Sequence, residues 1–563
     1  MNCSAVTHAS LLSFRQPLAR NQVRFRLLTA FGDLSECRLL YWKRTEPEAQ
    51  HIAEMHIRCE DGERSEWTVE VNFSEEVHYI KYDFAMTDNA GETLYYNEHG
   101  FFKEAPMTGH FELLQVNESD IRTLPEWSRG CVYYQIFPER FAIGDLSKNL
   151  HAYAPWNASP TRENFLGGDL RGIREHLPYL QELGVECLYL NPVFLADFNH
   201  KYATTDFFQI DLDFGTEEDL IELVEAAHQA HIRVVLDGVF NHVGVHFGPF
   251  IDLLANGEQS RYRDWFFPKH FPMTISSECY ECVGDYKYMP RLRVANPETR
   301  EYVLSVLKYW MNVAHVDGWR IDVADELDSG AVRYWRDQVK MSHPETLLLG
   351  ETWGDASGLL NGGDLFDSAM NYPFRDALLD YFARNAINET TLDHRLQRIL
   401  MKYTDEICSA LYNCLGSHDT ARLLTECRGN QTLMRMAMAF QILFPGCPAV
   451  YYGDELGMEG DNDPGCRAGM AWESGDMELL AYVKHLISLR KQSKAIRLGD
   501  YRTLMADDKR HLFAFERSYG DERVLVVLNR GDVPQSLDFT DWEKRVDIFP
   551  QSVEIVINGE EKP

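Results

Sequence analysis

Arg320 and Asp322 stand two residues apart in Gly318-Trp319-Arg320-Ile321-Asp322-Val323. Trp319, Ile321 and Val323 alternate with Arg320, Asp322 and Ala324, the period of a strand, so both charged side chains leave it on one face. A guanidinium beside a carboxylate favours the ionised acid, the state a carboxylate nucleophile requires. Taken alone, the two residues also fit a structural ion pair at a strand end. The rest of the chain decides between these readings.

Glu351 follows the apolar run Leu347 to Gly350, and His418-Asp419 follow Ala410 to Leu415. Carboxylates thus close three apolar runs, with Arg320 and His418 beside them. One carboxylate to attack or stabilise and one to protonate a leaving oxygen are the equipment of glycosidic bond cleavage. A single Asp in such a place reads as the N-cap of a following helix, but three together do not.

The elements that must position these groups are visible as a change of pattern. Up to about Asp120 the chain runs in short alternating stretches, such as Val23 to Leu28, Trp67 to Val71 and His78 to Phe84, separated by turns such as Asp61-Gly62. This predicts an all-β sandwich over 1–122. From Cys131, apolar runs alternate with amphipathic segments such as Glu217 to Ala230. Eight strand candidates begin at Val132, Cys187, Val234, Gly318, Leu347, Leu365, Ala410 and Ala449. They predict a (β/α)8 TIM barrel over 123–498, with an inserted domain at about 242–297 after the third strand. Residues 499–563 return to short strands and predict a small C-terminal all-β domain. In such a barrel the chemistry lies at the C-terminal ends of the strands. Asp237, Asn241, His242, Arg320, Asp322, Glu351, His418 and Asp419 all fall there.

The 563 residues exceed one compact core. The formal charge of −32 disfavours nucleic acid and anionic membranes as partners. Aromatic residues make up 12% of the chain, a content suited to sugar faces. There is no signal peptide pattern at Met1 to Gln22 and no apolar run of membrane-spanning length. Twelve irregularly spaced cysteines then read as reduced, cytoplasmic thiols, Cys279 and Cys282 included.

Four segments are recognisable: Asp237-Gly238-Val239-Phe240-Asn241-His242, Gly318 to Asp322, Gly350-Glu351-Thr352-Trp353 and Ser417-His418-Asp419. They resemble the four signature regions of the α-amylase family (glycoside hydrolase family 13) of retaining α-glycosidases. Tyr134 to Phe141, Phe165 to Leu170, His200-Lys201-Tyr202, Met289 to Leu292, Tyr451 to Met458 and Asn462-Asp463-Pro464 are similar to the cyclomaltodextrinase, neopullulanase and maltogenic amylase subgroup. The resemblance implies that Asp322 is the nucleophile, Glu351 the general acid/base and Asp419 the carboxylate that holds sugar hydroxyls. It implies supporting or substrate-binding places for Tyr202, Asp237, His242, Arg320, Glu326, Trp353 and His418. The implied substrates are cyclodextrins and maltooligosaccharides; pullulan hydrolysis with transglycosylation is the alternative within the subgroup. A non-catalytic sugar-binding protein is the alternative of another class, against which the three retained carboxylates argue.

The resemblance further implies a homodimer built through the N-terminal module, with Trp42, Tyr95, Tyr96, Phe101 and Phe102 as candidate anchors. No cofactor is required on this reading. Many relatives hold Ca2+, for which Asp145, Asn149, Gly167 and Asp169 are the candidate ligands here. Three departures stand out: Asp325 where the subgroup has Asn, Arg293 likewise, and Ile143 where an Asn ligand is expected.

Overall fold

The computed structural model describes residues 1–148 and 150–558 with their side chains, and the backbone of 560–562. It divides into two compact units. One comprises Met1–Thr123, Asn361–Gly363 and Thr390–Asp405; the other comprises the remaining residues.

In the first unit, strand Gln22–Ala30 buries Val23, Phe25 and Leu27 at period two. It lies in a four-stranded antiparallel sheet, whose core is shared with the neighbouring six-stranded sheet through Leu39, Tyr82 and Phe84. This is the sandwich that the alternation predicts. Thr390–Asp405 joins this unit because Asp405 pairs with Arg58 and Arg24. Arg26 also donates to the Met401 carbonyl at 2.6 Å. Three of the candidate anchors are needed at home. Trp42 is buried, and Tyr96 stacks on Phe101 at 4.8 Å against the core. None of the five aromatics is fully exposed.

The second unit holds eight parallel strands: Tyr133–Ile136, Cys187–Leu190, Arg233–Gly238, Gly318–Ile321, Leu347–Gly350, Ser368–Ala369, Tyr412–Cys414 and Cys447–Tyr451. The first six pair in chain order, the first also pairs with the eighth, and the eighth pairs with the seventh. A parallel bridge between Met370 and Tyr412 joins the sixth to the seventh and closes the barrel. Alternate residues such as Tyr133, Tyr189, Val235, Leu349 and Tyr412 fill its interior. Trp319 takes the other face and packs near Phe240 and Phe194.

Helices follow the strands from well-made starts. Asn296 caps Pro297–Val313 by accepting from the Glu298 and Thr299 amides, and Thr216 and Asp219 form a capping box on Glu217–Gln229. The excursion after the third strand carries helix Gly248–Asn256 and returns at a bridge between His242 and Arg291. A five-stranded antiparallel sheet over residues 500–562 and a hairpin, Gln535–Phe539 with Lys544–Ile548, follow the barrel. No helix among the described residues is long and apolar enough to cross a membrane.

Candidate active site

The fourth strand ends at Ile321, one residue before the carboxylate that matters. The Asp322 amide still bonds the Gly238 carbonyl at 3.1 Å. Val323 then turns with φ +48°. That left-handed conformation is costly for a β-branched residue, on the order of 1–3 kcal/mol. It aims the Val323 amide at Glu351, whose Oε2 accepts at 2.9 Å. The turn therefore couples the ends of the fourth and fifth strands.

Arg320 is fully buried beneath them. Its Nη1 donates to Asp322 Oδ1 at 2.7 Å and to Asp237 Oδ1 at 2.8 Å, and its Nη2 lies 2.8 Å from Glu351 Oε2. Strand register makes this possible, because Asp237 pairs directly with Arg320 across the third and fourth strands. One guanidinium thus serves three carboxylates. Arg320 does pull the Asp322 pKa down, as expected, but the net shift is upward, so the expectation that the pair by itself keeps Asp322 ionised is corrected here. Burial pushes the Asp322 carboxyl well above the ordinary aspartate value; Arg320 opposes this, and the Glu351 and Asp237 charges add to it.

Asp237 Oδ2 accepts from Tyr189 at 2.6 Å and from Tyr202 at 2.7 Å. The Tyr202 hydroxyl is 2.7 Å from His418 Nε2. His418 Nδ1 faces the amide nitrogens of Gln135 and Asn191, at 2.8 and 3.1 Å. Two donors on Nδ1 leave the proton on Nε2, which also lies 3.0 Å from Asp419 Oδ2. Burial and the Arg467 and Arg320 charges hold His418 well below the usual histidine range, so the ring is neutral.

Above this floor opens a cleft of about 410 Å3 lined by Tyr202, His242, Asp322, Glu351, Trp353 and Asp419 among others. Both ring nitrogens of His242 are buried without a hydrogen-bond partner, and burial lowers its pKa to about 4. A buried, unpaired imidazole facing a polar cleft is matched by a ligand hydroxyl. Trp353 is half exposed and stacks on Tyr372 at 4.2 Å and 10°. It presents one flat face to the cleft mouth.

Asp237, Arg320 and His418 thus lie under the cleft rather than in its wall. Glu326 is half exposed and outside the lining, 3.4 Å from Asn241 Nδ2 and 3.7 Å from Arg291 Nη2. Asp325 does line the cleft, its Oδ2 accepting from the Thr352 hydroxyl at 2.9 Å. Arg293 stacks over Phe267 at 4.6 Å.

Sequence reasoning missed Arg467, which bonds Asp419 Oδ1 at 3.2 Å and Asp463 at 2.8 Å. The Asp463–Arg467 spacing of four was its only signal. Arg162, 3.3 Å from Asp463 and part of the same lining, had none.

The described candidate calcium ligands, Asp145, Gly167 and Asp169, do not present open oxygens to one point. Asp145 Oδ1 accepts from the Ser147 amide and hydroxyl. The Lys148 ammonium takes the Gly167 carbonyl and Asp169 Oδ2. Asn149 lies outside the described residues. Among those residues, no group of three or more His, Cys, Asp and Glu side chains is placed to hold a metal ion.

Residues 135–479 match the sequence profile described as Alpha amylase, catalytic domain. Residues 1–117 match Alpha amylase, N-terminal ig-like domain, and 501–554 match Maltogenic Amylase, C-terminal domain. The chain is 41% identical to Neopullulanase 2 of Thermoactinomyces vulgaris, over 94% of this chain and 92% of that one. It is 36% identical to Intracellular maltogenic amylase of Bacillus subtilis, over 95% and 92%. A solved cyclomaltodextrinase superposes with a TM-score of 0.91 at 36% identity, covering 95% of this chain and 93% of that one. A closed eight-stranded barrel, carboxylates at three of its strand ends and these likenesses along nearly the whole chain lead to one assignment: this protein belongs to the α-amylase family.

Proposed function

We propose that this chain is a retaining hydrolase of α-1,4-glucosidic bonds in cyclomaltodextrins and maltooligosaccharides. The observation that carries the reading is the pair Asp322 and Glu351, held on Nη1 and Nη2 of one buried guanidinium at the floor of the cleft. Asp322 attacks the anomeric carbon while Glu351 protonates the departing glycosidic oxygen. Glu351 then takes a proton from water as that water displaces Asp322. Asp419, positioned by His418 and Arg467, binds hydroxyls of the reacting sugar, and His242 meets another. The names of the relatives support cyclic and linear α-glucans as substrates. Product analysis on β-cyclodextrin, starch and pullulan side by side tests the assignment. Equal or faster turnover of starch would overturn the preference for small rings.

Transglycosylation is a second reading, favoured by the open face of Trp353 beside Glu351. An aromatic face there gives a second sugar a platform from which its hydroxyl competes with water. Added maltose or glucose that appears in longer products would establish it.

We also propose a homodimer that uses the N-terminal module. Its exposed apolar side chains include Ile52, Ile57 and Leu114, the material of an interface. A cytoplasmic, reducing environment agrees with twelve free thiols and with the relative named intracellular.

A further inference from the structure

Lys148 stands in the loop between the first barrel strand and Asp169. Its ammonium nitrogen lies 2.9 Å from the Gly167 carbonyl, 2.8 Å from the Asp213 carbonyl and 2.8 Å from Asp169 Oδ2. Its side chain is only 9% exposed. An ammonium has three N–H donors, and three acceptors use them all. Two backbone carbonyls and a carboxylate around one positive charge are the donors a hard cation takes.

The remaining oxygens nearby are committed elsewhere. Asp169 Oδ1 accepts from the Gly144 and Gly172 amides, and Oδ2 accepts from the Asp145 amide besides the ammonium. Asp213 Oδ2 accepts from Lys201 at 2.8 Å, and its Oδ1 faces His151 Nε2 at 2.8 Å. Ca2+ requires six to eight oxygens at about 2.3–2.6 Å. A centre already filled by an ammonium, with its carboxylates spoken for, does not meet that demand.

We propose that Lys148 is an internal cation: its ammonium takes the place of a metal ion and holds this loop without one. The loop matters because it carries Arg162 to the cleft, with Asn164 anchored through its carbonyl to Arg140 at 2.7 Å. Lys148 is therefore a positioning residue for one wall of the substrate site.

Thermal melting and calorimetric titration with Ca2+ test this on the full chain. The native protein should melt at the same temperature in about 1 mM EDTA and in about 5 mM CaCl2, with no binding heat. Lys148→Asn removes the charge and leaves an oxygen in its place. In EDTA it should melt lower by about 3 °C or more, with a raised KM at little-changed kcat. Ca2+ should restore both, and Mg2+ should not, because it demands a tighter octahedron. A Ca2+-dependent rise in the native melting temperature would overturn the proposal. So would a Lys148→Asn chain as stable as the native one in EDTA, or one that Ca2+ leaves unchanged.

Discussion

The Tyr202 and His418 rings stack at 5.3 Å and 5°, with hydroxyl and Nε2 2.7 Å apart. The His418 Nε2 proton points at Tyr202 and Asp419, and the Tyr202 proton at Asp237. This relay ties Asp419 to the Arg320 cluster without a direct contact between them. Tyr202→Phe keeps the stack and removes the link. Losing a hydrogen bond to charged groups costs about 1.5–3 kcal/mol. We expect kcat/KM on β-cyclodextrin to fall about ten- to hundredfold, with melting little changed. A variant within twofold of native activity would show that the relay is dispensable.

Asp322→Asn and Glu351→Gln should each lose several orders of magnitude in kcat, because they remove the nucleophile and the transferable proton at constant size. The two are separable by leaving group. With a nitrophenolate leaving group protonation is unnecessary, so Glu351→Gln should still release one equivalent in a burst, whereas Asp322→Asn should release none. The reverse pattern would exchange the roles.

Two inversions at the anomeric carbon return the α-configuration. Proton NMR within the first minutes of cleavage should show α-anomeric product, which later mutarotates. An initial β-anomer would exclude Asp322 as a covalent nucleophile.

The acid limb of the pH profile follows from the direction of the Asp322 shift. Attack requires the ionised carboxylate. Burial and the neighbouring carboxylates raise its pKa, so protonation sets in at a higher pH than for a free aspartate. The midpoint of the acid limb in kcat/KM should lie above about 3.9, the unperturbed value. A midpoint at or below that would mean that Arg320 outweighs burial.

The dimer is best tested by point changes. Removing residues 1–122 would strip Asp405 of Arg58 and Arg24, and Arg398 of Asp61, which exposes part of the same unit. Ile52→Glu with Ile57→Glu alters only exposed side chains. Light scattering at micromolar concentration should show a dimer for the native chain and monomer for the double variant. A native monomer would contradict the dimer.

Much was legible from residue order. Period two put Arg320 and Asp322 on one face, and eight apolar runs alternating with amphipathic segments implied the closed barrel. In that fold strand ends meet at one rim, so residue order alone brings Asp237, Asp322, Glu351 and Asp419 together. Local pattern reaches this far because strand and helix periods are set by backbone geometry. Tertiary structure alone decided what depends on depth and on contacts across hundreds of residues. Burial first, and the carboxylates of Glu351 and Asp237 around the same guanidinium second, turn the pKa of Asp322 upward. Arg162 and Arg467 reach the cleft from opposite ends of the barrel sequence. Trp42 is spent on its own core, and Glu326 stays outside the cleft lining. Lys148 fills a cradle whose oxygens are mostly backbone, and backbone oxygens are identical in every sequence until the fold aims them.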